Sequence, residues 1–190
     1  VLEILCRYEL DSDHRVQKGF RWALANRQKD GGWALFNPGC SASPEKLSKR
    51  PPHKPVKTQP FSYHVTGMML RAFAESLTWR AGKEAHQAAE LLVDCFFQDE
   101  VVGDRTYPSD WEIICYPFWN TDILSSLDAL SRIGFSQEKE MIQKGLAWLI
   151  RKQNSHGFWE CGNKKATLED HLWVTLAALR VLKRFGLFKT

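Results

Sequence analysis

Lys18-Gly19-Phe20 followed by Gln28-Lys29-Asp30-Gly31-Gly32-Trp33 returns later in the chain as Lys144-Gly145-Leu146 followed by Gln153-Asn154-Ser155-His156-Gly157-Phe158-Trp159. Each copy reads as an amphipathic helix that ends in Gln, then a glycine-bearing turn, then Trp. Val16, Phe20 and Leu24 lie four residues apart and share one helical face, as do Ile142, Leu146 and Leu149 in the second copy. A glycine just past a helix end takes the left-handed conformation at little steric cost, so the chain can reverse there. Trp33 or Trp159 can then lie back over the preceding Gln amide, burying apolar area while the amide answers orphan groups at the helix end. One such turn is an ordinary helix cap beside a core Trp; two with the same lead-in make a repeat.

The rest of the chain fits a stack of helical hairpins. Asp11-Ser12-Asp13 offers N-caps for a helix from about His14 to Arg27. A helix is expected from about Ser62 to Leu77, with Val65, Met68, Met69, Ala72 and Phe73 on its apolar side. Its partner over 83–97 carries Ala85, Ala88, Ala89, Leu92 and Phe96 as a buried stripe. Phe97-Gln98-Asp99 stands where a third Gln-bearing turn belongs, without a Trp soon after it, and reads as a decayed copy. Asn120 or Thr121 is placed to cap a helix that runs to Ile133 with Ile123, Leu124, Leu127 and Leu130 inward, and Gly134 ends it. Ser136 opens the charged helix of the second full repeat. Thr167-Leu168-Glu169-Asp170 has the form of a capping box with Asp in place of Glu or Gln. The helix beyond it is apolar nearly all round from Leu172 to Leu182, the pattern of a helix buried on every side, with Gly186 as its stop.

Both Gln/Trp turns resemble the QW motif of squalene and oxidosqualene cyclases, which protein prenyltransferase β-subunits share in degenerate form. The resemblance covers most of the chain. It extends to a little-characterised microbial squalene-cyclase-like group through Tyr116-Pro117-Phe118-Trp119-Asn120-Thr121-Asp122 and the run Trp173 to Lys183. It implies an all-α fold, an α/α toroid of helical hairpins. The structural residues of the motif would be Gln28, Gly32 and Trp33 in one copy and Gln153, Gly157 and Trp159 in the other. Residues 1–190 are expected to form a single such domain, a partial ring and the C-terminal part of a longer protein, since about seven helices are legible and Val1 enters one part-way. Exposed hairpin faces would then favour self-association or pairing with a missing N-terminal half.

Composition narrows the function classes. Hydrophobic residues make up 44% of 190 and charged residues 25%, ordinary for a globular protein with a real core. The net charge of +4 does not describe a nucleic-acid face, because residues 37–60 hold five Lys/Arg against one Glu and the remainder balances. That segment holds six of the eight prolines and reads as an extended loop, lid or decoration. No apolar run reaches 18 residues, so no membrane span is expected. Five scattered cysteines without a CxxC pair point to a reducing, cytoplasmic setting with no structural metal and no cofactor.

The site chemistry is weighed against the resemblance. Class II cyclases protonate their substrate with an Asp-x-Asp-Asp motif; at the matching helix start this chain has Asn120-Thr121-Asp122-Ile123. Asp122 is a candidate acid, but a helix N-terminus stabilises the ionised carboxylate, so a cap is the favoured role. The prenyltransferase zinc site has its Cys matched by Cys115, while Ile113 stands at the Asp position and His171 is displaced from the His position. Glu112, Cys115 and His171 could meet only through loop geometry, and no metal is expected. Trp111, Tyr116, Trp119 and Trp173 fall near the ends of expected inner helices, where rings line a substrate cavity in the cyclases or are plain core here. The leading expectation is a toroid protein that binds an apolar, isoprenoid-like small molecule without the standard acid motif. The alternatives are a cyclase or prenyltransferase with catalytic residues elsewhere, and a protein-interaction module.

Overall fold

The computed structural model describes residues 1–34, 56–98, 108–118 and 120–188. Within them the chain forms seven α-helices and no strand: α1 Leu2–Arg7, α2 His14–Ala25, α3 Tyr63–Glu75, α4 Lys83–Asp94, α5 Ile123–Ile133, α6 Glu140–Arg151 and α7 Leu168–Arg184, with a 3-10 turn at Pro108–Glu112. Odd-numbered helices pack side by side in the order α1, α3, α5, α7. The even-numbered helices form a second layer against them, α2 on α1, α4 on α3 and α5, and α6 on α5. The result is a two-layered arc of hairpins, the all-α toroid architecture expected from the sequence.

Local chemistry sets most of the helix ends. Asp13 caps α2 by accepting from the Arg15 backbone N–H at 2.8 Å. Ser62 caps α3 through Val65 N at 3.3 Å. Thr167 and Asp170 complete the expected box, with Asp170 Oδ2 accepting from Thr167 N at 2.7 Å. Gly134, at φ 98°, stops α5 where a side chain would be strained. Asp11 binds the end of α3 to the start of α2. Its carboxylate accepts from Ser76 Oγ at 2.5 Å and Thr78 N at 3.0 Å. Although burial alone would raise its pKa, hydrogen bonds from Ser76, Thr78 and Cys6 hold it below the usual carboxylate value.

The core lies between the two layers. Ala85, Ala88, Ala89, Leu92 and Phe96 are buried on α4, as are Ile123, Leu124, Leu127 and Leu130 on α5, all at expected positions. Small residues bring the inner row close: a Cβ on Gly67 of α3 would collide with the Thr121 side chain, just before α5 begins. Thr121 Oγ1 donates to the His64 carbonyl at 2.6 Å, so it joins α3 to α5 and leaves the capping of α5 to Asp122.

Several expectations are corrected. On α3, Ala72 and Phe73 are buried as expected and Val65 and Met69 are partly buried against the core, but Met68 is exposed. The buried face also takes in Tyr63, Thr66, Gly67, Leu70 and Ala74, with Thr66 held inward by its bond to Trp33 N. Ser136 opens a turn, and α6 begins only after Lys139. The α7 helix is not buried on every side. Val174, Ala178, Val181 and Leu182 are covered, while Leu168, Leu172, Leu176 and Leu179 form an exposed stripe. It stands at one end of the inner row, with an inner neighbour, α5, on one side only. Residues 37–55 of the Pro/Lys-rich segment and Asp99 of the third turn lie outside the described residues.

Candidate functional site

The two Gln/Trp turns share one hydrogen-bond skeleton. Trp33 Nε1 donates to the carbonyl of Ala23 at 2.8 Å, and Trp159 Nε1 to that of Leu149 at 2.6 Å, each ten residues back on the preceding helix. Each Trp backbone N–H donates to a threonine on the next inner helix, Trp33 to Thr66 at 2.9 Å and Trp159 to Thr175 at 3.0 Å. The glycines at positive φ are Gly31 (104°) and Gly157 (87°). This register corrects the residue equivalence read from sequence. Gln28 matches Asn154, since both backbone N–H groups reach across the turn, to Gly32 O and Phe158 O. Gly31, rather than Gly32, matches Gly157, and Arg27 matches Gln153. Arg27 Nε donates to Gly31 O at 2.8 Å and Gln153 Nε2 to Gly157 O at 2.8 Å. It is the Arg27 guanidinium that lies over the Trp33 ring, 5.4 Å from its centroid, while Gln28 is buried beside it. These turns are architectural: both Trp rings are sealed from solvent.

The third turn closes by another route. Phe97 adopts φ 60°, and Trp111, thirteen residues beyond Gln98, donates from Nε1 to the Gln98 carbonyl at 3.0 Å. Trp111 is fully buried, stacked on Tyr63 at 4.5 Å and packed on Phe96. It is core, not cavity lining. Trp119 lies outside the described residues.

The cavity is on the concave side of the inner row, with a volume of about 300 Å³. One end is apolar. Tyr116 and Trp173 stack at 5.5 Å with planes 10° apart, and Phe118 meets Tyr116 edge-on at 5.7 Å. Leu124 of α5 and Leu176 of α7 complete that end. The structure thus brings together two of the four aromatic candidates, Tyr116 and Trp173.

The other end is charged, and sequence reasoning missed it. Glu3 and Arg7 come from α1, Arg71 and Glu75 from α3, Asp128 and Arg132 from α5, and Arg180 from α7. Residues four apart on a helix present side chains on one face, so α1, α3 and α5 each deliver an oppositely charged pair to the cavity and α7 delivers Arg180. Glu3 bridges Arg7 (2.8 Å) and Arg71 (3.3 Å). Glu75 bridges Arg7 (2.9 Å) and Arg132 (3.0 Å). Asp128 bridges Arg132 (3.1 Å) and Arg184 (2.6 Å). Burial works against the charge on Arg7, but Glu3 and Glu75 outweigh it and hold its guanidinium above the ordinary arginine value. The i,i+4 spacing of opposite charges on otherwise apolar helices was the available signal.

Asp122 stands behind the wall. It is fully buried as the N-cap of α5: its Oδ1 accepts from Ser125 N at 2.8 Å, and its own N–H donates to Ser125 Oγ at 3.0 Å. Ser125, not Asp122, faces the cavity. Glu112 pairs with Lys152 at 3.3 Å, and His171 Nδ1 accepts from the Cys161 backbone N–H at 2.8 Å. Those bonds direct Glu112 and His171 to other partners than Cys115, and among the described residues no three His, Cys, Asp or Glu side chains gather as metal ligands would. Burial, then the negative charge of Asp11, push the Cys6 thiol up to about 12, so it is unreactive packing. Among the described residues no helix is long and apolar enough to cross a membrane.

The family model for the squalene-hopene cyclase C-terminal domain matches residues 3–178. Among curated proteins, the terpene cyclase-glycosyl transferase fusion protein fsoA of Humicola fuscoatra is 27% identical over 157 residues, covering 76% of this chain and 11% of that protein. The chain therefore spans about a tenth of the length of this relative. No solved structure matches it.

Proposed function

The chain belongs to the squalene-hopene cyclase C-terminal domain family, and from that premise we propose that it binds an apolar, isoprenoid-like molecule against the Tyr116–Trp173 pair. The observation that carries the reading is the composition of one cavity end: three aromatic rings and two leucines with no charged group among them. Flat, rigid rings offer dispersion contact and a negative face to a branched hydrocarbon or to a developing cation. The cavity volume lies at the lower end of the range for small-molecule sites. The three lining carboxylates each accept from two guanidinium groups, and Asp122 is committed to its cap. Among the described residues the wall holds no carboxyl group poised to protonate an alkene, so the reading is of binding rather than catalysis by these residues. Residues 1–190 act in it as one helical domain.

A second reading is favoured by the relative's name: the chain would be one part of a terpenoid cyclase, supplying the aromatic wall while another segment supplies the acid. The first reading is tested by titrating farnesol and squalene into the protein and into Trp173→Ala. We expect binding that weakens at least about fivefold in the variant at unchanged melting temperature, since one ring contact contributes roughly 1 kcal/mol or more. Failure of both compounds to bind would overturn it. Cyclised product from squalene in extracts of the full-length protein would establish the second.

A further inference from the structure

The charged end of the cavity is out of balance. Three lining carboxylates, Glu3, Glu75 and Asp128, stand against four lining guanidinium groups, Arg7, Arg71, Arg132 and Arg180. Each carboxylate is already shared by two guanidinium groups, with Arg184 reaching Asp128 from outside the lining. The guanidinium left over is Arg180. It lines the cavity on α7, four residues after Leu176 and seven after Trp173, and enters no ion pair among the described residues. A helix places residues three, four and seven apart on one face, so Arg180 sits along the same wall as the aromatic end, one to two turns away.

We propose that the ligand of this cavity is amphipathic: an isoprenoid-sized hydrocarbon tail on Tyr116, Phe118 and Trp173, and an acidic oxygen head, carboxylate or phosphate monoester, on Arg180. The inference rests on the apolar-ligand reading above and deepens it. A planar guanidinium binds such oxyanions through paired N–H donors, and the bond is stronger than one to a neutral hydroxyl. A neighbouring surplus of positive charge raises the local concentration of anions, whereas a cationic head would be repelled. The surplus of one positive charge in the lining suits a head of one or two negative charges. It is too small to neutralise a diphosphate without help from a metal ion.

Calorimetric titration of the protein with farnesol, farnesoic acid and farnesyl monophosphate separates the possibilities. At low salt at least one acid should bind about tenfold tighter than farnesol, and raising the salt to about 0.5 M should shrink that preference. Arg180→Gln, an exposed position whose loss leaves the ion pairs intact, should reduce the preference below about threefold by weakening the acids more than farnesol. The tighter of the two acids identifies the head group. Farnesol binding as tightly as both acids, or a preference that survives Arg180→Gln, overturns the inference and leaves the apolar-ligand reading standing. If none of the three binds, both fall together.

Discussion

The turn that closes on Trp33 and the turn that closes on Trp159 have the same backbone bonds but different surroundings. Around Trp33 the space is filled: a Cβ on Gly31 would meet Gln87 at 2.7 Å and Arg27 at 2.9 Å, and Phe73 lies 5.5 Å from the indole. Beside the glycine of the second turn it is open, although Trp159 is itself buried: a Cβ on Gly157 would find only Gln153 Nε2 at 4.0 Å. The first turn feeds α3, which has inner neighbours on both sides; the second feeds α7, which has one. What repeats is therefore the set of backbone hydrogen bonds, because an unpaired buried N–H or carbonyl costs more than an imperfect contact. The side chain that spans the turn is exchangeable, guanidinium in one copy and amide in the other.

Three pairs of substitutions and a single one would break or sharpen that contrast, each read by denaturant unfolding. The largest effect is expected from Trp33→Ala, about 3–5 kcal/mol, with Trp159→Ala towards the low end of that range because Trp33 also loses its contacts with Phe73 and the Arg27 guanidinium. Equal losses would mean that the surroundings do not matter. Next come the left-handed glycines. Gly157→Ala should cost about 1–2 kcal/mol from backbone strain, and Gly31→Ala a further ~1–3 kcal/mol from crowding against Gln87. Thr66→Val follows, at about 1–3 kcal/mol, since it strands the Trp33 N–H in a fully buried setting; Thr175→Val, half-buried, should cost about half as much. The smallest is Arg27→Gln, within about 1 kcal/mol, because the amide can donate to Gly31 O as Gln153 does to Gly157 O. A larger loss there would make the guanidinium over Trp33 a requirement of the first turn.

The fold was legible because helical periodicity and caps are local. The α4 stripe, the inward face of α5 and the Thr167–Asp170 box could all be read from residues three or four apart. Register across the turn could not. Gln28 and Gln153 look equivalent by letter, and it is the hydrogen bonds, from Trp Nε1 to a helix carbonyl and from Arg27 and Gln153 to the turn glycine carbonyls, that show Arg27 in the matching place. Burial of α7 was misread for a related reason. Apolar composition states what a helix would bury, and coverage depends on which helices stand beside it. Of the aromatic candidates, Tyr116 and Trp173 reach the cavity and Trp111 turns into the core, a choice made by the Gln98 carbonyl that takes its N–H. The charged pairs were visible as i,i+4 patterns, yet their union across four helices is a tertiary fact.

That union governs how the inner helices may move. Helices that meet through Ala, Leu and Gly present smooth surfaces, and sliding one along another by a turn, about 5.4 Å, would exchange one set of methyl contacts for a similar one. The carboxylates forbid it. Glu75 on α3 grips Arg7 on one side and Arg132 on the other, and Asp128 on α5 grips Arg184 of α7. Axial slippage of α3 would release Glu75 from α1 and α5 at once. The row of ion pairs acts as a vernier, fixing the relative height of α1, α3, α5 and α7, and with it the distance from the Tyr116–Trp173 stack to the guanidinium groups beyond it.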